Sequence, residues 1–304
     1  MPQAPCRILL SWILALALTS QALVAEVSEV ADKMGTAANA FLQSIDDSQA
    51  ESVQHPFDDR RKDWHFVPRQ RKGLLLSAMS GDQRVLAYAL ISERLSEQGV
   101  QTVKNIRSLE RVLRLVEGPG RHFARDPEAY HLYLFATPES GHWGWRFEGH
   151  HISINATIIE GQGVSLSPRF LGANPAEVQT AERTGFRALA NEEDIAFKLV
   201  ESFTDEQLDK AVFDSKAPWD IFTGAHREVS PLPVEGVTYG EMNTEQRFCC
   251  GNFSSAICSR LRTPFVRKPL PVSSALDGSR SVSVGRDRLI GIGEIIITCK
   301  GRAF

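Results

Sequence analysis

The chain has 304 residues, 42% of them hydrophobic and 23% charged, with a formal net charge of −3, the profile of an ordinary globular protein. So weak a charge gives no global basic field for phosphate, which excludes a general nucleic-acid binder. The sequence also lacks a Gly-rich phosphate loop, a C-x-x-C pair and a His-Glu-x-x-His helix, three common cofactor and metal signatures.

The first residues, M-P-Q-A-P-C-R, carry one positive charge and lead into an apolar run from Ile8 to Leu18 broken only by Ser11. A short basic start, an apolar core of about 7 to 15 residues and small residues at a cleavage point describe a secretory signal peptide. The run is well short of the roughly 20 residues that span a bilayer. We therefore expect residues 1–25 to be a signal cut after Ala22 or Ala25. The mature protein is then exported, periplasmic or extracellular, and has no stable membrane span. Cys6 precedes the apolar core, the wrong place for a lipoprotein cysteine. About 280 residues remain, enough for a real core, and residues 26–246 read as a single domain.

Ser48 to Gln70, with Pro56, Pro68 and many charges, reads as a surface loop. Ser80-x-x-Gln83 has capping-box spacing and opens a helix whose Leu86, Ala89 and Leu90 form a stripe until Gly99 ends it. Thr102 begins the next, with Ile106, Leu109, Leu113 and Val116 on one face before Gly118-Pro119. Strands follow: alternating aromatics from Tyr130 to Ala136, turn residues Pro138 to Gly141, a second extended run from Trp143, then Gly161-Gln162-Gly163 turning into Val164 to Ser167. Asn174-Pro175, followed by Glu177, fits a helix N-cap and first-turn proline. The segment E-E-D-I-A-F-K-L-V-E-S-F is amphipathic, and Thr204-x-x-Gln207 opens one more helix. Sequential strands joined by short turns make an antiparallel meander. With helices before and after it, the expected fold is α+β, the helices packed on one sheet face.

From Trp143 to Ile158 the alternation changes phase once. Trp143, Trp145 and Phe147 are apolar at odd positions, whereas Ile152, Ile154, Ala156 and Ile158 are apolar at even ones. A single buried face survives on one strand only if a residue is extra near Gly149 and His150, the signature of a β-bulge. Trp143 and Trp145 then turn inward, and Arg146, Glu148, His151, Ser153 and Asn155 share the opposite side as a candidate site. In that row Glu148 and His151 are suited to moving protons as the catalytic pair. Arg146 offers a planar fork to a carboxylate, phosphate or sulfate, and Ser153, Asn155 and His150 are further ligand-binding groups. Arg71 in P-R-Q-R-K-G and Asp220 in P-W-D-I are added as binding candidates.

Two other chemistries fit the spacing poorly. Neighbouring strand residues face opposite sides, so His150 and His151 offer at most two ligands in good geometry, fewer than zinc requires, and no metal site is assigned. Ser153 and His151 are two apart on one strand, about 6.5 Å, too far for a serine to be activated by that imidazole, and no G-x-S-x-G elbow occurs. Two functional expectations remain. One is an exported enzyme, hydrolase-like or lyase-like, using the polar row. The other is an exported, non-catalytic binding or scaffold protein whose row grips a small polar or anionic ligand.

From Arg247 onward there are ten Lys and Arg against three Asp and Glu, and four of the five cysteines, Cys249, Cys250, Cys258 and Cys299. Two disulfides in any of three pairings are open to them.

The runs W-H-F-V-P-R-Q-R-K-G-L (Trp64 to Leu74), S-L-E-R-V-L (Ser108 to Leu113), W-G-W-R-F-E-G-H-H-I-S-I-N (Trp143 to Asn155), F-L-G-A-N-P-A (Phe170 to Ala176) and P-W-D-I (Pro218 to Ile221) resemble a bacterial family known as domain of unknown function 3500. The resemblance covers roughly residues 37–246, and G-H-H-x-S-x-N is its most specific part. It implies relatives and no reaction. Such relatives continue into a C-terminal block rich in Asp, Asn and His, resembling E-Y-D-N then A-N-H-x-H, whose histidines would complete a divalent metal site in full-length members. Here residues 247–304 look like a divergent or frame-shifted replacement, expected to be poorly ordered.

Overall fold

A computed structural model describes residues 28–119, 123, 125–161, 163–180, 182–212, 221, 224–225 and 236–262, with three strand pieces at 281–284, 289–292 and 295–298. The expected signal peptide over 1–25, Asp220 and Cys299 lie outside the described residues.

The fold is α+β. Its centre is an antiparallel meander of β3 (His131–Phe135), β4 (His142–Gly149), β5 (Ile152–Ile159) and β6 (Gly163–Ser165). Three short strands complete the sheet: β1 (Gln54–His55) runs parallel to β3, β2 (Leu74–Leu75) antiparallel to β3, and β7 (Arg169–Leu171) antiparallel to β5. Helices α1 (28–42), α3 (Gly81–Ser92) and α4 (Glu97–Glu117) lay their apolar stripes on one face of this sheet. Met34, Phe41, Leu90, Ile106 and Leu109 meet Trp145, Phe147, Ile154 and Ile158 in one buried cluster. The short α2 (Asp47–Val53) inserts Val53 into it. A second, smaller cluster forms from α5 (Ala190–Glu201), α6 (Asp205–Ala211), β8 (Val237–Thr238) and α7 (Thr244–Cys258), around Leu199, Val237 and Phe253. Strand β8 edges a four-stranded sheet with β9 (Ser281–Val284), β10 (Leu289–Ile292) and β11 (Ile295–Thr298).

The capping boxes do what their spacing implies. Ser80 with Gln83 starts α3, and Thr204 with Gln207 starts α6, side chain and backbone satisfying each other reciprocally. The boundary between α3 and α4 is not where Gly99 and Thr102 suggested. Helix α3 stops at Ser92, and Ser96 caps α4 by accepting from the Gly99 amide at 3.1 Å. Gly99 has a different job. A Cβ there would lie 2.2 Å from the Arg260 carbonyl oxygen, so only glycine lets the chain leaving α7 dock on the first turn of α4. That carbonyl accepts from the Ser96 amide at 3.0 Å, tying the two apolar clusters together.

Three further expectations are corrected. Asn174-Pro175 opens no helix: 174–177 is a bend in a loop closed by backbone bonds between Val178 and both Gly185 and Phe186. Ser48 to Gln70 is not a free surface loop. After α2 and β1 it crosses the second face of the sheet and buries Phe66 there. There is also no bulge at Gly149. Strands β4 and β5 are separate and joined by a two-residue turn, His150-His151, with His151 in the left-handed region at φ 60°. The hairpin register sets Trp143 opposite Ile158, Trp145 opposite Ala156 and Phe147 opposite Ile154. Directly opposed residues share a face, so reversing the chain produces the same phase change as an extra residue would.

Arg247 falls inside α7, which the Asn243 and Gln246 capping box starts and which buries Cys249, Cys250 and Phe253. Cys249, Cys250 and Cys258 are free thiols. Among the described residues no helix is long and apolar enough to cross a membrane.

Candidate functional site

Four of the expected row residues do share one sheet face, Arg146 opposite Asn155 and Glu148 opposite Ser153. All four are buried, Glu148 completely so at 0% exposure. The segment over them is held by the row itself. The His65 amide donates to Glu148 Oε2 at 3.0 Å, and Arg71 donates to the carbonyls of Val67, His65 and Gly149 at 2.8, 3.1 and 3.3 Å. Arg71 Nε stands 3.3 Å from Glu148 Oε1, and Arg146 Nε 3.4 Å from Oε2. These two contacts join opposite charges without hydrogen-bond alignment. The Arg146 guanidinium lies over the Tyr133 ring at 4.4 Å, and Asn155 Nδ2 donates to the Pro168 carbonyl at 2.9 Å and to Ser153 Oγ at 3.2 Å. Burial pulls the Arg71 guanidinium below its ordinary range, with Glu148 pushing back. The row is therefore a buried ionic core that fastens 57–73 to the sheet, and Glu148 is no accessible base.

The two histidines leave this face at the hairpin tip. His151 is a backbone clamp: its amide donates to the Phe66 carbonyl at 2.7 Å, and its carbonyl accepts from the Gly172 amide at 2.9 Å. Its ring sits edge-on to Phe170, which stacks on Phe66 at 4.0 Å. His150 turns the other way, towards α4, where Nδ1 lies 2.5 Å from Glu110 Oε1 and 3.3 Å from Arg125 Nη1. Arg125 is itself held by Glu117 through contacts of 2.8 and 3.0 Å. Tyr130 supports the turn from beneath. Its hydroxyl donates to the His150 carbonyl at 2.9 Å, and a Cβ on Gly149 would strike its ring at 2.3 Å.

Beside this tip opens a cleft of about 400 Å³, bordered by Arg69, Glu110, Arg125, Asp126, His131 and His150. A second, of about 300 Å³, lies at the other end of the polar face and is bordered by Arg61, Lys62, Trp64 and Asn155. Of the expected site residues, the first cleft gathers only His150 and the edge of Arg71. It adds Glu110, Arg125, Arg69 and His131, which the sequence reading missed. For Glu110 a signal existed, a carboxylate at i+4 from Ile106 on the apolar stripe of α4. For Arg125 and His131 there was none. Among the described residues no group of three His, Cys, Asp or Glu is placed to hold a metal ion.

His131, opposite Glu148, is pushed down to about 4, first by burial and then by Arg71. An unfolded imidazole takes up its proton near 6.5, so between the two values the unfolded chain binds more protons. Stability then rises with pH across that window and is lost as the pH falls through it, with nothing further lost from this group below about 4. The expected loss between neutral pH and the lower end is at most about 3 kcal/mol. Denaturant unfolding across that pH range checks this. His131→Gln should flatten the slope, and an unaltered slope would assign the acid sensitivity elsewhere.

No curated protein and no solved structure matches the chain. The family model described as protein of unknown function DUF3500 matches residues 27–268, which takes in the meander, the ionic core, the hairpin tip and α7. On that coverage, the chain belongs to the DUF3500 family.

Proposed function

We propose that the chain is an exported enzyme of hydrolase or lyase type, acting on a small anionic substrate in the cleft beside the hairpin tip. The observation that carries the reading is the 2.5 Å contact between His150 Nδ1 and Glu110 Oε1 at the cleft wall. A carboxylate on Nδ1 makes that nitrogen the donor and leaves Nε2 to accept a proton from water or from a carbon acid, the arrangement of an oriented general base. Arg69 and Arg125 border the same cleft, held in place by Asp63 and Glu117, and a carboxylate or phosphate substrate would share their remaining N–H donors. Export rests on the N-terminal sequence alone.

The alternative is a binding protein without turnover, favoured by the loss of Glu148 to two arginines. Turnover of a panel of small phosphate, sulfate and carboxylate esters and hydroxy acids separates the two. With a substrate found, His150→Asn should lower the rate by about 10²–10⁴-fold while the melting temperature changes little. Full activity in that variant would refute the assignment of His150, and saturable binding with no turnover across the panel would favour the binding protein.

A further inference from the structure

Where the end of α3, strand β7, the start of α5 and the end of α7 converge, the charges of the described residues, buried on Arg94, Arg260 and Glu192 and half-buried on Arg169, do not balance. Arg94, Arg169 and Arg260 bring three guanidiniums and Glu192 one carboxylate. Arg260 takes that carboxylate, its Nη2 and Nε at 2.5 and 2.7 Å from Oε1, and also donates to the Thr102 hydroxyl. Among the described residues Arg169 hydrogen-bonds only to the Ile257 carbonyl, through two contacts of 3.4 Å. Arg94 is 1% exposed and donates from Nη2 to the Leu166 carbonyl, while its Nε and Nη1 have no hydrogen-bond partner among the described residues. A guanidinium removed from water without a counter-charge costs several kcal/mol.

These residues are neighbours through the backbone as well. The Arg262 amide donates to the Arg94 carbonyl at 3.1 Å, Leu95 bridges to Leu261, and the Ser96 amide donates to the Arg260 carbonyl. The charges also feel each other: after burial, Arg169 is what holds the Arg94 guanidinium well below its ordinary value. None of the three arginines borders the cleft beside the hairpin tip.

We infer that Arg94 and Arg169 form a buried anion site for a small inorganic oxyanion, phosphate or sulfate. The unsatisfied Nε–H and Nη1–H groups of Arg94 are donors in the geometry that oxyanions accept, and a guanidinium surrenders its hydration more readily than an ammonium. Water would satisfy the donors and leave the charge, whereas an anion answers both. Bound there, it ties the corner between α3 and α4 to β7 and to the end of α7, and so joins the two apolar clusters.

The test uses the full chain dialysed into chloride buffer, then titrated with sodium phosphate or sodium sulfate at constant ionic strength while the melting temperature is followed. The wild type should show a saturable rise, roughly 3–6 °C at about ten times the dissociation constant. Arg94→Met should abolish that rise and, relieved of an unpaired charge, melt no lower than the anion-free wild type. Arg169→Met should weaken the response and serves as the second variant if Arg94→Met fails to fold. Arg125→Met, which removes a guanidinium that the cleft offers to an anion, should keep the full response, which separates this site from the cleft. Equal rises in the wild type and Arg94→Met would reduce the effect to a general salt action and overturn the site. So would a wild type that responds to neither salt.

Discussion

Glu148→Ala is expected to destabilise the protein by about 3–5 kcal/mol, read as a lower urea midpoint with little change in slope. The carboxylate lies between Arg71 and Arg146 at 3.3 and 3.4 Å and accepts from the His65 amide. Removing it leaves two buried guanidiniums facing each other and one amide without an acceptor. The loss should be local before it is global: cleavage by trypsin at Arg60, Arg61 and Lys62 should appear at protease levels that spare the wild type. A second variant separates charge from packing. Arg71→Met, Glu148→Leu and Arg146→Met together remove all three charges and should regain much of the loss, because apolar replacement of a buried ionic triad is often neutral or better. A cost below about 1 kcal/mol for Glu148→Ala would mean that the triad is open to water, and would return Glu148 to the list of accessible acids.

Which side of the sheet the strand residues of W-G-W-R-F-E and I-S-I-N face was legible, because the two-residue turn between them shifts the alternation as one extra residue would, whereas His151, expected in the polar row, sits in the turn and leaves that face. Whether the reversal was a bulge or a hairpin was not. The turn is His150-His151 rather than an Asn-Gly or Gly-x pair, so no turn residue marks it, and its left-handed position falls on His151. Helix starts at Ser80 and Thr204 were legible because a capping box is local. The start of α4 was not, since Gly99 looked like a terminator and owes its presence to a carbonyl 161 positions further along the chain, Arg260 O. Separation in sequence, 83 positions between His65 and Glu148, also hid the role of 57–73. Its prolines and charges read as solvent-facing, yet they cover a polar sheet face that only the paired strands create. The site moved for that reason. The row of Arg146, Glu148, Ser153 and Asn155 is polar because a polar segment covers it, and the groups left for chemistry are those at its exposed end.

Trp145→Ala should cost about 3–5 kcal/mol, since the indole is 1% exposed in the centre of the larger cluster, opposite Ala156. Trp145→Phe should cost much less than the lost area suggests. The buried Nε1–H has no hydrogen-bond partner among the described residues, and phenylalanine removes that polar group along with the ring it belongs to. Equilibrium unfolding of both variants checks the order, and equal losses would show that the indole nitrogen is satisfied in solution. The milder variant also asks how separate the two faces of β4 are. Trp145 points to the helices and Glu148 to the covering segment, so Trp145→Phe and Glu148→Gln share no side-chain partner and their losses should add to within about 0.5 kcal/mol. A coupling well above that would mean that the strand itself shifts when either face is disturbed. The hairpin tip, and with it the contact between His150 and Glu110, would then depend on the packing of the core as well as on the ionic clasp.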